Sequence, residues 1–257
     1  MDSVANVDPT GGPEEPPVAA PGPGHLDPSG LPTGEAKAAA VREMFDRIAP
    51  RYDRLNRLLT FRLDVGWRRR TVIALDLPPG GVVADLACGT GDLCRDLAVA
   101  GLRPVGVDVS WGMLTHARTG APLLHADALA LPLADRSVDG VTCGFALRNV
   151  VDLDQLGREC ARVLRPGGRL AFLEVAEPRP RLVRAGHRLY FGRVVPWVGA
   201  RLSDAPAYRY LPRSVAYLPP TPELLARLAG CGFAHVERRT FSLGVTQLIT
   251  ATRAGAA

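Results

Sequence analysis

The chain has 257 residues, a length that suits one sizeable domain with a small lid and does not demand two cores. Hydrophobic residues are 47% and charged residues 22%, as in ordinary globular enzymes, and no apolar run nears the roughly 20 residues of a membrane-spanning helix. The five cysteines show no CxxC pair and no metal-ligand spacing. They read as small buried hydrophobes of a reducing compartment, which argues against a zinc module or a disulfide scaffold. The start lacks the basic and apolar regions of a secretory leader, so the expected location is the cytoplasm.

Residues 1–34 hold Asp2, Asp8, Glu14, Glu15 and Asp27 but no Lys or Arg, and they are crowded with Pro and Gly. Such a stretch buries too little surface to offset its chain entropy and is expected to be a disordered tail. Without those five acids the +5 chain becomes about +10, almost all of it Arg. Arg-preferring codons explain this most simply; attraction to an anionic membrane face or a nucleic acid is the functional alternative. Scattered Arg with only 6% aromatics speaks against nucleic acid.

From Glu35 the pattern becomes helical, with Val41, Met44, Phe45 and Ile48 at helical spacing. Pro50 is expected to break that helix, with further helices at Tyr52–Leu59 and Leu63–Leu75, so that 35–78 forms a cap. Pro78-Pro79-Gly80-Gly81 is a stop. Strands follow at Val82–Ala87, Val105–Val109, Pro122–Ala126, Val138–Phe145 and, after the Pro166-Gly167-Gly168 turn, Leu170–Val175. Helices are expected at Asp92–Val99, Trp111–Arg118 and Leu153–Leu164. After Glu177 the rhythm lapses, and 178–220 is expected to be a lid. Within it, 182–202 mixes Arg, Trp and Tyr with aliphatic groups, which suits a membrane interface, a greasy substrate groove or an ordinary packed helix. Thr221 reads as an N-cap before Pro222 and Glu223, opening a helix to Gly230. Phe233–Glu237 and Phe241–Ala251 are expected as closing strands. Apolar strands alternating with helices give a doubly wound, mostly parallel seven-stranded α/β sheet with helices on both faces.

The central motif is Asp85-Leu86-Ala87-Cys88-Gly89-Thr90-Gly91-Asp92, at a strand-to-helix junction. Glycine there lets backbone approach a ligand without interference from Cβ. A dinucleotide fingerprint would place a third glycine where Cys94 stands, so a ligand without a diphosphate fits better. Asp108 ends the second strand, where a carboxylate can accept both hydroxyls of a ribose, a need shared by NAD and S-adenosylmethionine (SAM). Asp127-Ala128, after the third strand, would sit by an adenine. Two acids near one site also suit the cationic groups of SAM. Each residue has a plainer reading as well: a tight turn for the glycines, a helix N-terminus for Asp92, a surface acid for Asp108 or Asp127.

This loop, Asp108 and the terminal antiparallel strand resemble class I SAM-dependent methyltransferases. More narrowly, residues 41–240 resemble the UbiE/MenG family, C-methyltransferases of ubiquinone and menaquinone biosynthesis. The match lies in the stretch from Phe45 to Asn56 with Trp67-Arg68, in Phe145-Ala146-Leu147-Arg148-Asn149-Val150, and in Arg162 to Leu170 with Glu174. Tyr208 to Ser214 is a later echo. The resemblance implies SAM as cofactor, held by Asp85, Gly89, Thr90, Gly91, Asp108, Asp127 and Ala128, and a lipophilic quinol-like acceptor, with contact at a membrane surface. The chain departs from the family, which usually has Ser in place of Thr60, His in place of Asp64, Ser in place of Ala176, a SAM-contacting Ser in place of Gly144 and Val-Ala-Leu-His in place of Thr246-Gln247-Leu248-Ile249. Asp64 and Ile249 bear on the acceptor more than the cofactor and leave open another phenolic or polyketide substrate.

Methyl transfer to carbon needs the acceptor aligned with the methyl group and a ring hydroxyl deprotonated, through a base or a water relay. Arg148 and Asn149 follow the fourth strand at the ligand-binding edge, where Arg148 can stabilise a phenolate and Asn149 hold a water. The competing reading is an ion pair and a turn amide. Tyr52 can close over a sulfonium or simply pack. His116, His125 and His187 show no partner, and none is assigned as the base. A nicotinamide oxidoreductase is disfavoured by the missing third glycine and by the Pro-Gly-Gly turn.

Overall fold

The computed structural model describes residues 33–178, 180–202, 204, 207, 210 and 213–255. The expected acidic tail therefore lies outside the described residues, apart from Thr33 and Gly34. The chain opens with α1 (Gly34–Leu59) and α2 (Leu63–Leu75), then enters β1 (Val82–Leu86), α3 (Asp92–Val99), β2 (Arg103–Asp108), α4 (Trp111–Thr115) and β3 (Leu123–His125). It continues through β4 (Val138–Gly144), a 3-10 turn (Leu147–Asn149), α5 (Leu153–Val163) and β5 (Leu164–Val175). The expected lid holds α6 (Arg181–Leu189), a π-helical turn (Tyr190–Val194) and α7 (Val195–Leu202). A 3-10 turn (Val215–Tyr217), α8 (Thr221–Gly230), β6 (Phe233–Phe241) and β7 (Thr246–Arg253) complete the order.

The sheet has seven strands in the order β3-β2-β1-β4-β5-β7-β6, parallel except for β7, which runs antiparallel to both β5 and β6. This is the fold expected from the sequence. The strand order reverses direction between β1 and β4, and in doubly wound sheets ligands bind beyond the carboxyl ends of the strands at such a point. Both faces are covered. Leu75 of α2 and Leu93 and Leu97 of α3 pack on Val83 and Leu248 of the sheet. Leu156 of α5 and Leu224 and Leu228 of α8 pack on Leu86, Val141 and Ile249 of the sheet. A third cluster joins Met44, Ile48 and Leu55 of α1 to Met113 of α4 and Val195 of α7.

Several boundaries differ from expectation. Pro50 lies inside an unbroken α1. Proline removes one helical hydrogen bond, but Ile48 and Ala49 beside it are buried and the helix is packed along α4, so tertiary contact carries the helix through. The Pro-Gly-Gly turn falls within β5: Val138 pairs with Leu164 and Gly140 with Arg169, so the intervening residues bulge out of the ladder. α4 stops at Thr115 rather than Arg118, the N-cap before α8 is Pro220 rather than Thr221, and Phe241 ends β6 rather than opening β7.

Candidate functional site

The loop after β1 makes the first wall of the site. Ala87 and Gly89 both have positive φ, 50° and 55°, and both line a cavity of about 650 Å³ above the carboxyl ends of β1, β2 and β4. A left-handed non-glycine residue is strained and persists only where its surroundings fix it. The second strained residue of the cavity is Phe145 (φ 59°), just past β4. Its carbonyl accepts a 2.7 Å hydrogen bond from the Arg148 guanidinium, which holds the turn in place.

Asp108, at the end of β2, is buried, and both its oxygens are aimed by backbone. Oδ2 accepts the Gly89 N–H at 2.7 Å and Oδ1 accepts the Ser110 N–H at 2.8 Å. Burial raises its pKa, and those N–H bonds pull it back. Each oxygen keeps lone pairs for a further donor. Asp127 and Ala128 line the same cavity after β3, with Asp127 Oδ1 accepting the Leu129 N–H at 2.9 Å.

At the other end of the cavity stand Tyr52, Phe145 and Asn149. Burial raises the pKa of the Tyr52 hydroxyl, a shift the nearby Arg148 charge opposes, so the group stays a neutral hydroxyl at neutral pH. Asn149 Oδ1 accepts the Tyr210 hydroxyl at 3.2 Å. The roof is α1, which contributes Phe45 and small residues such as Ala36 and Ala39 along with Tyr52. Among the described residues no histidine lines the cavity.

Four expected site residues do not line it. Asp85 lies on the β1 face beneath α3, where its carboxyl accepts the Thr142 hydroxyl at 2.8 Å and the Cys94 thiol at 3.3 Å; burial pushes its pKa up to about 7. Thr90 gives its hydroxyl to Asp53 of α1. Gly91 is the left-handed cap of α3 (φ 80°), with Thr119 where its Cβ would be, so its role is the turn. Arg148 sits one layer behind the cavity wall. Its guanidinium is paired with fully buried Glu174 and bonded to the Phe145 carbonyl and the Ser214 hydroxyl, a corrected placement for a group expected to face the acceptor. The ion pair, one of the two readings open in the sequence, is the one found. Conversely, Phe45, Phe145, Glu174, Tyr210 and Ser214 were given no role from sequence, although all five stand in or beside the stretches that carried the resemblance. Of the Tyr208–Ser214 echo, positions 208, 209, 211 and 212 lie outside the described residues.

Comparison with known proteins identifies the family. The model of the ubiE/COQ5 methyltransferase family matches residues 33–253. The chain belongs to this family. It is 43% identical to a demethylmenaquinone methyltransferase of Roseiflexus castenholzii, over 88% of this chain and 98% of that one. It is 41% identical to a ubiquinone/menaquinone biosynthesis C-methyltransferase of Geobacter sulfurreducens, over 83% and 88% respectively. Among solved structures, a SAM-dependent methyltransferase of Thermotoga maritima shares the fold with a TM-score of 0.59 at 22% identity, covering 82% of this chain and 99% of that one. The enzyme class expected from the sequence is borne out: this ubiE/COQ5 family member is a methyltransferase.

Proposed function

We propose that this ubiE/COQ5 family member transfers a methyl group from SAM to a ring carbon of a demethylated polyprenyl quinol. The observation that carries the reading is one continuous cavity. It joins the Asp108–Asp127 end to the Tyr52–Phe145–Asn149 end beneath α1, with walls mostly of hydrocarbon. The donor set fits SAM: two aimed carboxylate oxygens for the ribose, Asp127 with Ala128 for the adenine, and a glycine loop without a third glycine for a diphosphate. When bound, SAM supplies an electrophilic methyl group on a cationic sulfur.

The rest of the work falls to the chain. Asp108 fixes the cofactor end, and the strained turn at Phe145 sets where an acceptor ring can lie against the Tyr52 ring. Orientation of this kind accounts for much of the acceleration in two-substrate reactions. Asn149, with Tyr210 behind it, holds a ring hydroxyl or a water that carries its proton away. Arg148 acts through Phe145 and Asn149 as a positioning residue, since its charge is already matched by Glu174.

A lipophilic acceptor is delivered from a bilayer, and 181–202 suits contact with one. It holds five Arg and no acid, and its Leu182, Leu189 and Trp197 are exposed. The Phe61 ring, also exposed, lies 5.9 Å from the ring of Tyr190 and extends the surface. Among the described residues no helix is long and apolar enough to cross a membrane.

The deciding test is mass-spectrometric detection of a C-methylated product from SAM and demethylated quinols, with simple phenols alongside. Methylation of the phenols alone would replace this reading with a phenol or polyketide methyltransferase. Sedimentation with anionic vesicles, lost in Leu182→Ala/Trp197→Ala, tests the surface.

A further inference from the structure

The roof helix does more than cover the cavity. α1 supplies eight of the residues that line it, so a ligand lying between Asp108 and Tyr52 passes beneath this helix, and the seating of the roof sets the shape of its site. The same helix carries Asp46 and Asp53, seven residues and two turns apart, on one face. Asp46 Oδ1 accepts the Ser110 hydroxyl at 2.6 Å and the Gly112 N–H at 2.8 Å. Asp53 Oδ1 accepts the Thr90 hydroxyl. The contact at Gly112 is backbone on backbone, for a Cβ there would lie 2.7 Å from the Asp46 Cα.

These anchor points are not arbitrary places on the body. Ser110 donates its N–H to one oxygen of Asp108 and its hydroxyl to Asp46. Gly89 donates its N–H to the other oxygen, and the next residue, Thr90, is the one held by Asp53. Both loops that aim Asp108 are thus tied to the roof, each within one residue of the N–H that does the aiming. The reading of Asp108 as a ribose acceptor then has a consequence for the helix above it.

We propose that Asp46 and Asp53 are positioning residues for cofactor capture: they fasten the roof to the two loops that orient Asp108, so that roof closure and ribose binding form one equilibrium. Charge-assisted hydrogen bonds of this kind are stronger than neutral ones and are lost together when the helix lifts. Coupling between two events is reciprocal, so whatever holds the roof down also tightens the cofactor, and bound cofactor holds the roof. Tyr52, Phe145 and Asn149 do not take part in these bonds, so the step after closure is left largely intact.

The inference rests on SAM as the cofactor and is tested on the full chain. SAM Kd by calorimetry, KM for SAM, kcat with a demethylated quinol and Tm are measured for Asp53→Ala, Asp53→Asn and Thr90→Val. Asp53→Ala is expected to raise Kd and KM for SAM about tenfold or more, with kcat at saturating SAM within about threefold of the parent. Asp53→Asn keeps an oxygen that can accept the Thr90 hydroxyl and is expected to restore most of the affinity. The double variant Asp53→Ala/Thr90→Val is expected to lose no more than the worse single one. If Asp53→Ala fails to fold, Thr90→Val removes the same bond from the loop side and decides the matter. A lowered Tm with SAM Kd within about twofold of the parent would mean simple helix docking and overturn the coupling, as would a fall in kcat with KM unchanged. A parent chain that binds no SAM at all sinks the cofactor reading and the coupling with it, and is told apart by needing no variant.

Discussion

Arg148→Ala separates two ideas about the residue after β4, one in which it meets the acceptor and one in which it builds the wall. In the structure the Arg148 side chain is 8% exposed and Glu174 is fully buried. Glu174 also accepts the N–H groups of Arg148 at 3.2 Å and Val175 at 2.8 Å, but Arg148 is its ion-pair partner among the described residues. Removing the guanidinium therefore leaves a buried, uncompensated carboxylate, a change that costs about 3–5 kcal/mol. For a domain of this size each kcal/mol corresponds to about 2–4 °C, so Tm should fall by roughly 6–20 °C. Arg148→Lys keeps a charge but cannot reach Glu174, the Phe145 carbonyl and Ser214 together, and should recover only part of the loss. The double variant Arg148→Ala/Glu174→Gln should be more stable than Arg148→Ala, because the orphaned charge is gone. Scanning calorimetry with SAM titration on the four proteins checks this. If Arg148→Ala keeps the parent Tm and SAM affinity while turnover drops by orders of magnitude, the structural reasoning is refuted and the guanidinium acts on the acceptor directly.

Asp108→Asn places an amide nitrogen against one of two buried N–H donors and should weaken SAM at least about tenfold by calorimetry, with Tm lowered by a few degrees. Asp85 is raised to about 7 by burial, above its unfolded value, so its stabilising contribution is full below about pH 4 and is lost as pH rises through 7. Asp85→Asn, which mimics the neutral form, should flatten the Tm profile between about pH 4 and 7; a profile parallel to the parent would disprove the assignment. Asp64→His should lower Tm by several degrees, through loss of roughly 3 kcal/mol from a buried ion pair, yet leave the ratio of quinol to phenol turnover unchanged.

The sheet was legible because its strands are nearly all apolar and separated by helical periodicity, a pattern that only a covered parallel sheet satisfies. The Pro50 boundary was misjudged because the cost of a proline is local, whereas the contacts that overrule it come from α4, more than 60 residues on. At the candidate site, Gly89, Asp108, Asp127, Tyr52 and Asn149 stand at strand ends or in motifs that bear chemistry, and all five line the cavity, whereas Thr90 and Gly91 of the same loop do not. What a one-dimensional reading lacks is direction. Asp85 shares its face of β1 with Val83 and so points beneath α3, while Arg148 sits in a 3-10 turn that sends it back toward β5. The apolar wall that α1 presents reads in sequence only as an amphipathic helix, since nothing local says that it roofs a cavity.

The departures from the family pattern, which bore on the acceptor while only the sequence was in view, take on a different meaning in three dimensions. Asp64 is fully buried and bonded to Thr60 at 2.6 Å and Arg68 at 2.5 Å, and Arg68 continues to Asp92 and Asp96 on α3. Thr60 and Asp64 thus belong to an ion-pair network between α2 and α3. Ile249 is core beneath α5 and α8, and Ala176 is buried past β5. None of these lines the cavity; Gly144, at the end of β4, is the departure that does. A Cβ there would meet only Leu93 Cδ2, at 3.8 Å, an ordinary contact, so the wall has room for a side chain. Gly144→Ser should fold with Tm within about 2 °C of the parent and, by adding a hydroxyl beside the glycine loop, tighten SAM by up to about tenfold. Calorimetry on this one variant measures what the missing hydroxyl contributes. A SAM Kd left unchanged by Gly144→Ser would show that the cofactor does not reach the β4 edge, and would move its site elsewhere in the cavity.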